Sequence, residues 1–164
     1  MLTVAWQFRM NKDEIKKIVP YDDPYLFLDE AEIINENEIE GFKKTNKEDY
    51  YFKGHFVDYP IMPGVLVVEG IAQLASLLLR KKIGQSHKEK HVLAYQVRRA
   101  NFYKPIFPGD KINYKVKLLG FYENEIANFK GEAFVDDSLK CKVRFVCAVA
   151  DKKEFDEKYK NLPR

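Results

Sequence analysis

Residues 63–84 read PGVLVVEGIAQLASLLLRKKIG, and this stretch decides the fold. Apolar residues fall at 65, 66, 67, 68, 71, 72, 74, 75, 77, 78 and 79. At helical spacing they occupy most of the circumference, which marks a helix buried on nearly all sides. Pro63 suits the first turn, where a missing N–H costs nothing. Gly84 suits the stop. The spacing predicts a helix over 65–82.

Upstream, Asp49 to Gly64 (DYYFKGHFVDYPIMPG) holds two prolines, two glycines and five aromatics. It is too punctuated for a regular element and too apolar for a solvated loop, so it is expected to pack against the helix. Asn11 to Ile18 reads as a short capped helix ended by Pro20, and Tyr25 to Glu30 as a strand. Ala31 to Lys44 reads as a hairpin-like pair turning at Asn35–Asn37. Downstream, Gln85 to Lys90 reads as a polar, mobile loop. Strands are expected at Val92–Phe102, Lys111–Leu119, Ile126–Val135 and Leu139–Ala150. In the last, Leu139, Cys141, Val143, Phe145, Cys147 and Val149 share one face. The charged tail from Asp151 reads as a frayed helix. One buried helix with five or six strands is an α+β layout in which the sheet wraps the helix.

Bulk composition agrees with a single domain over residues 1–164. The chain is 46% hydrophobic and 32% charged, enough to bury a core and keep a solvated surface. A net charge of +3 is too small to argue for nucleic acid. No stretch reads as a membrane span, and the N-terminus lacks a signal-peptide pattern, so a cytoplasmic location is expected. Residues 1–9 read as an extension or a mis-assigned start, and the block 1–10 is treated as a candidate extension. Cys141 and Cys147 sit six apart on one strand, roughly 20 Å and too far for a disulfide, and read as core residues of a reducing compartment. No metal-ligand spacing occurs.

Two residues stand out chemically. Glu69 is the only charge between Val65 and Leu79. Desolvation there would raise its pKa and make it a proton donor near neutral pH. Against this, Glu69, Gln73, Ser76 and Arg80 fall at i, i+4, i+7 and i+11, one helix stripe that could be the solvated edge. His55 lies in the packed loop among aromatics, as a structural residue or as a partner for Glu69. His87 and His91 flank a lysine-rich segment and read as surface residues. The amides at Gly64 and Val65 open the helix, where partial positive charge could hold a developing oxyanion. Lys53, Arg98, Arg99 and Lys104 form either a solvated basic face or a docking patch for an acidic partner.

Read together, these residues resemble the FabZ/FabA-like 3-hydroxyacyl-[acyl-carrier-protein] dehydratases. Residues 54–73, GHFVDYPIMPGVLVVEGIAQ, resemble the pattern GHFPxxPxMPGVLxxEAxAQ. Residues 20–29, PYDDPYLFLD, are similar to PHRYPFLLVD, and residues 102–110, FYKPIFPGD, to FRRPVxPGD. The three segments occur in family order. The carboxylate is Glu, as in FabZ, where isomerising FabA enzymes carry Asp.

The resemblance implies a hotdog fold: a long central helix wrapped by a curved antiparallel sheet. It assigns catalysis to His55 and Glu69, substrate contacts to Phe56, Gly64, Val65 and Gln73, and carrier-protein contacts to Arg98, Arg99 and Lys104. It implies an acyl-carrier-protein substrate in type II fatty acid synthesis, with no metal or redox cofactor, no nucleic acid and no membrane. It also implies a homodimer sharing its active sites across the interface, and assembly as a trimer of dimers. Departures are Tyr21 for His, Val57 for Pro, Asp58 and Tyr59 after it, Gly70 for Ala, and Arg98–Arg99 where an Asp–Lys pair is usual. The rival readings are another hotdog thioester enzyme, an acyl-CoA hydratase or thioesterase, and a non-catalytic acyl-binding paralogue.

Overall fold

The computed structural model describes residues 8–160 and Leu162; expectations for residues 1–7 lie outside them. In chain order the elements are β1 (Phe8–Asn11), α1 (Lys12–Lys16), β2 (Glu30–Asn35), β3 (Glu38–Lys44), α2 (Gly64–Ile83), β4 (Lys90–Phe102), β5 (Lys111–Tyr122), β6 (Ile126–Val135), β7 (Ser138–Asp151) and α3 (Lys152–Tyr159). Tight 3-10 turns occupy Tyr50–Lys53 and Gly84–Glu89. The strands form one antiparallel sheet in the order β1-β2-β3-β5-β6-β7-β4. Helix α2 packs against β3, β4, β5, β6 and β7, so the sheet curls around it. This is the hotdog architecture.

The reasons are local. Asn11 caps α1 through a reciprocal pair: its Oδ1 accepts the Glu14 N–H at 3.0 Å, and Glu14 Oε2 accepts the Asn11 N–H at 2.9 Å. In the β2–β3 turn, Asn35 Oδ1 accepts the Asn37 N–H at 2.9 Å. Along β5 the inward residues Ile112, Tyr114, Val116 and Leu118 are buried. They meet Ile71, Leu74, Ala75 and Leu78 of α2 in one core. Helix α2 ends at Gly84, whose φ of 77° lies in the left-handed region open to glycine. No described helix is long and apolar enough to cross a membrane.

Several expectations change. Tyr25–Asp29 is not a strand; the sheet takes over at Glu30. Leu26, Phe27 and Leu28 are buried as expected of a strand, but their segment is held by a helix side chain. Among the described residues there are seven strands, because Phe8–Asn11 pairs with β2 and buries Met10 fully. The stretch Gln85–Lys90 is largely an ordered 3-10 turn, tied down by Arg80, whose Nη1 donates to His87 O at 3.1 Å and Lys90 O at 3.3 Å. His87 and His91 are half-buried. The His91 ring packs 5.0 Å from that of Phe155 on α3.

The polar stripe of α2 is not a solvated edge either. Gln73, Ser76 and Arg80 are buried within the single chain. Each gains partners that repay desolvation, including the Arg80 Nε bond to Ser76 Oγ at 3.3 Å. Cys141 and Cys147 are buried free thiols, which burial pushes up to about 11 and about 12.

Candidate active site

The loop that carries His55 is anchored before and after it. Before it, Tyr51 and Phe52 are buried with ring centroids 4.7 Å apart, and the Tyr51 hydroxyl donates to Asp49 Oδ2 at 2.8 Å. After it, Phe56 and Tyr59 exchange backbone bonds of 3.0 and 3.2 Å, which closes a turn with Val57 at its tip. The Ile61 N–H donates to His55 O at 2.9 Å, and the Met62 N–H to Ile106 O at 2.9 Å.

The imidazole is oriented by the same loop. His55 Nδ1 lies 2.9 Å from Ile61 O. A carbonyl can only accept, so Nδ1 is the donor, and in the neutral ring Nε2 is the nitrogen that carries the lone pair. Phe56 stacks on the ring at 4.1 Å and leaves much of its own surface exposed.

His55 lines a largely apolar groove of about 580 Å³ that also contains Gly64, Val65, Phe102 and Lys104. Among the described residues neither the Gly64 nor the Val65 N–H has a protein acceptor. These amides belong to the first turn of α2, where the helix dipole adds partial positive charge. Phe102, at the end of β4, lies against Gly64 so closely that a Cβ there would come within 2.6 Å of its ring. Lys140 also lines the groove, its Nζ donating to Pro105 O at 3.1 Å. Sequence reasoning missed it, because its place depends on the β4–β7 register that sets Phe102 opposite Cys141.

Glu69 lies one helical turn beyond Val65, half-buried, outside this groove and without a hydrogen bond to His55. Its Oε1 accepts from Gln73 Nε2 at 3.0 Å. Gln73 is fully buried, donates also to Tyr25 O at 2.8 Å, and accepts the Phe27 N–H at 2.8 Å. Both amide hydrogens and the amide oxygen are committed, so Gln73 holds the carboxyl in one orientation. Burial first, and the Glu69 charge second, push the Tyr21 and Tyr25 phenols above their ordinary value. Burial, Asp49 and Glu69 in that order do the same at Tyr50.

The remaining candidates lie on β4. Arg98 and Arg99 are exposed and bond to neighbours on their own strand, Gln96 Oε1 at 3.3 Å and Asn101 Oδ1 at 3.0 Å. The single chain thus unites His55, Gly64, Val65 and Lys104, unites Glu69 with Gln73, and leaves the two groups apart. A second cavity of about 680 Å³, lined by Lys82, Lys90, Asp151 and Glu154 among others, contains none of them.

Comparison with known proteins identifies the family. Residues 19–144 match the FabA-like domain family. The 3-hydroxyacyl-[acyl-carrier-protein] dehydratase FabZ of Sulfurimonas denitrificans is 36% identical over 148 residues, covering 87% of this chain and 99% of that protein. The FabZ of Thermotoga maritima is 38% identical over 143 residues, covering 87% of this chain and all of that one (100%). Among solved structures, the dehydratase heterocomplex ApeI:P of Xenorhabdus doucetiae superimposes with a TM-score of 0.71 at 14% identity, over 88% of this chain and 95% of that one. At that identity it speaks for the fold. With most of its length matched by the family and by FabZ relatives, the chain belongs to the FabA-like hotdog family.

Proposed function

We infer that the protein dehydrates 3-hydroxyacyl thioesters carried on acyl carrier protein, giving 2-enoyl thioesters in fatty acid synthesis. The observation that carries this reading is the pinned His55, with Nε2 free, beside unpaired helix-start amides in an apolar groove, on a chain of FabZ-like sequence.

The mechanism follows from the atoms. His55 Nε2 removes the proton α to the thioester carbonyl. The amides of Gly64 and Val65 hold the oxygen as negative charge builds on it. Protonated Glu69 gives its proton to the β-hydroxyl, the C–O bond breaks, and water leaves. The proton on His55 then returns to Glu69, directly or through water, to reset the pair. The apolar groove and the exposed Phe56 face the substrate.

His55 and Glu69 are supplied by different protomers. Three features support a homodimer: the two groups are separate within one chain, β4 is a sheet edge unpaired among the described residues, and that edge exposes Leu93, Tyr95 and Val97. A trimer of dimers and a cytoplasmic location are part of the same proposal. Arg98, Arg99 and Lys104, joined by Lys140, offer cations to an acidic carrier protein.

The test is turnover of a 3-hydroxyacyl thioester, followed by enoyl absorbance. His55→Ala and Glu69→Gln should each lose about 10²-fold or more while the assembly survives. Near-native turnover in either variant removes the assignment.

A further inference from the structure

The groove beside His55 changes character along its length. Its mouth is lined by Tyr59, Val65, Phe102 and Lys104, all exposed. Its inner end is lined by Met62, Val67, Ile106 and Cys141, all buried. Helix and sheet draw together stepwise along it. At the mouth Gly64 meets the Phe102 ring. One turn on, Val67 of α2 and Cys141 of β7 line the groove together. One further turn on, Ile71 rests on Gly131 so closely that no Cβ would fit there. Gly131 pairs with Val143, two residues beyond Cys141 on the same face of β7. Neither Ile71 nor Val143 lines the groove. The groove is therefore blind, and Val67 and Cys141 stand at its closed end.

On the sheet side of that end the thiol supplies the bulk. In the ladder Cys141 lies between Phe102 of β4 and the fully buried Ala133 of β6, which adds only a methyl. The nearby Met62 N–H and Ile106 O are already bonded to each other at 2.9 Å. The amides of a pantetheine arm would be stranded among these walls, at a cost in free energy. An alkyl chain gains from the same burial.

We propose that Cys141 is a specificity-determining residue for acyl length: the tail of the 3-hydroxyacyl group enters the closed end between Val67 and the Cys141 thiol, and the bulk of residue 141 sets the longest chain that turns over well. The proposal rests on the dehydratase reading, because the tail starts from this groove only when the α-carbon lies at His55. Up to the stop, each buried methylene is worth about fourfold in kcat/KM. Past it the chain overpacks a closed space, and the gain is reversed.

The experiment measures kcat/KM for pantetheine thioesters from 3-hydroxybutyryl to 3-hydroxytetradecanoyl, in steps of two carbons. Each profile is normalised to the 3-hydroxybutyryl value of the same protein, so that a general loss of activity cancels. Wild type should show a maximum within the series. Cys141→Leu lengthens the side chain into the groove. It should move the maximum down by about two carbons and lower the normalised value at the wild-type optimum about tenfold. Cys141→Ala empties the stop and should raise the normalised value of the next longer thioester about fourfold. The alanine variant decides alone if the leucine variant does not fold. A wild-type profile without a maximum, or an unchanged profile in a folded variant, overturns the proposal and leaves the dehydratase reading standing. Absence of enoyl product from every thioester overturns the two together.

Discussion

Gln73 Nε2 donates to Glu69 Oε1 across one turn of α2, 3.0 Å away, while its remaining bonds hold the backbone of Tyr25 and Phe27. Gln73→Leu keeps the volume and removes all three bonds. It should lower stability by about 2–3 kcal/mol, because the Phe27 N–H and Tyr25 O are left buried without partners. On the proposed mechanism it should also lower kcat more than it raises KM, since Glu69 loses its orientation. Denaturant unfolding and steady-state kinetics read the two effects separately.

Gly70, next to Glu69, is tightly enclosed. A Cβ at Gly70 would stand 2.5 Å from the Tyr114 hydroxyl, which is buried and has no hydrogen-bond partner among the described residues. Gly70→Ala should destabilise by about 1–3 kcal/mol through overpacking. Tyr114→Phe removes an unsatisfied hydroxyl and should be neutral or stabilising. Combined, the pair should recover part of the loss, as a thermal melt of the four proteins will report.

If each active site draws His55 from one chain and Glu69 from the other, inactive variants should complement. Mixing His55→Ala with Glu69→Gln and allowing subunits to exchange gives one intact site per mixed dimer, about a quarter of wild-type activity at random pairing. Activity that stays at the level of the separate variants would place both groups in one chain.

Alkaline stability follows from the buried thiols. Cys141 and Cys147 move from an ordinary 9.0 to about 11 and about 12 in the folded chain. Between pH 9 and these values the unfolded chain loses protons that the native state keeps, so unfolding becomes easier as pH rises. The buried phenols of Tyr51 and Tyr114, also pushed up, act in the same direction. Unfolding free energy measured from pH 8 to 11 should fall steadily, and a flat profile would contradict this burial.

The central helix and the later strands were legible because their period is carried by side chains alone: the apolar run of α2 between Pro63 and Gly84, and the alternation of β7. The segment 25–29 misled because its apolar pattern suits a strand while its backbone partner is Gln73, far along the chain. Arg80 misled for a related reason: its acceptors include two main-chain carbonyls, which no residue letter announces. Strand β1 is four residues long and too short for a pattern. In the site, His55, Gly64 and Val65 were readable as neighbours in sequence. Lys140, and the tie from Gln73 to the Tyr25–Phe27 backbone, needed register and tertiary packing to come together.

Strand β4 is fastened to α2 at both ends. At its start the Arg80 guanidinium grips Lys90 O, and at its finish the Phe102 ring rests on Gly64. The two contacts sit at opposite ends of both elements, Arg80 and Lys90 at one, Gly64 and Phe102 at the other, so the strand is held along the length of the helix. Whatever pairs with the open edge of that strand therefore lies on the element that also lays Phe102 over Gly64, where the helix starts in the groove that His55 lines.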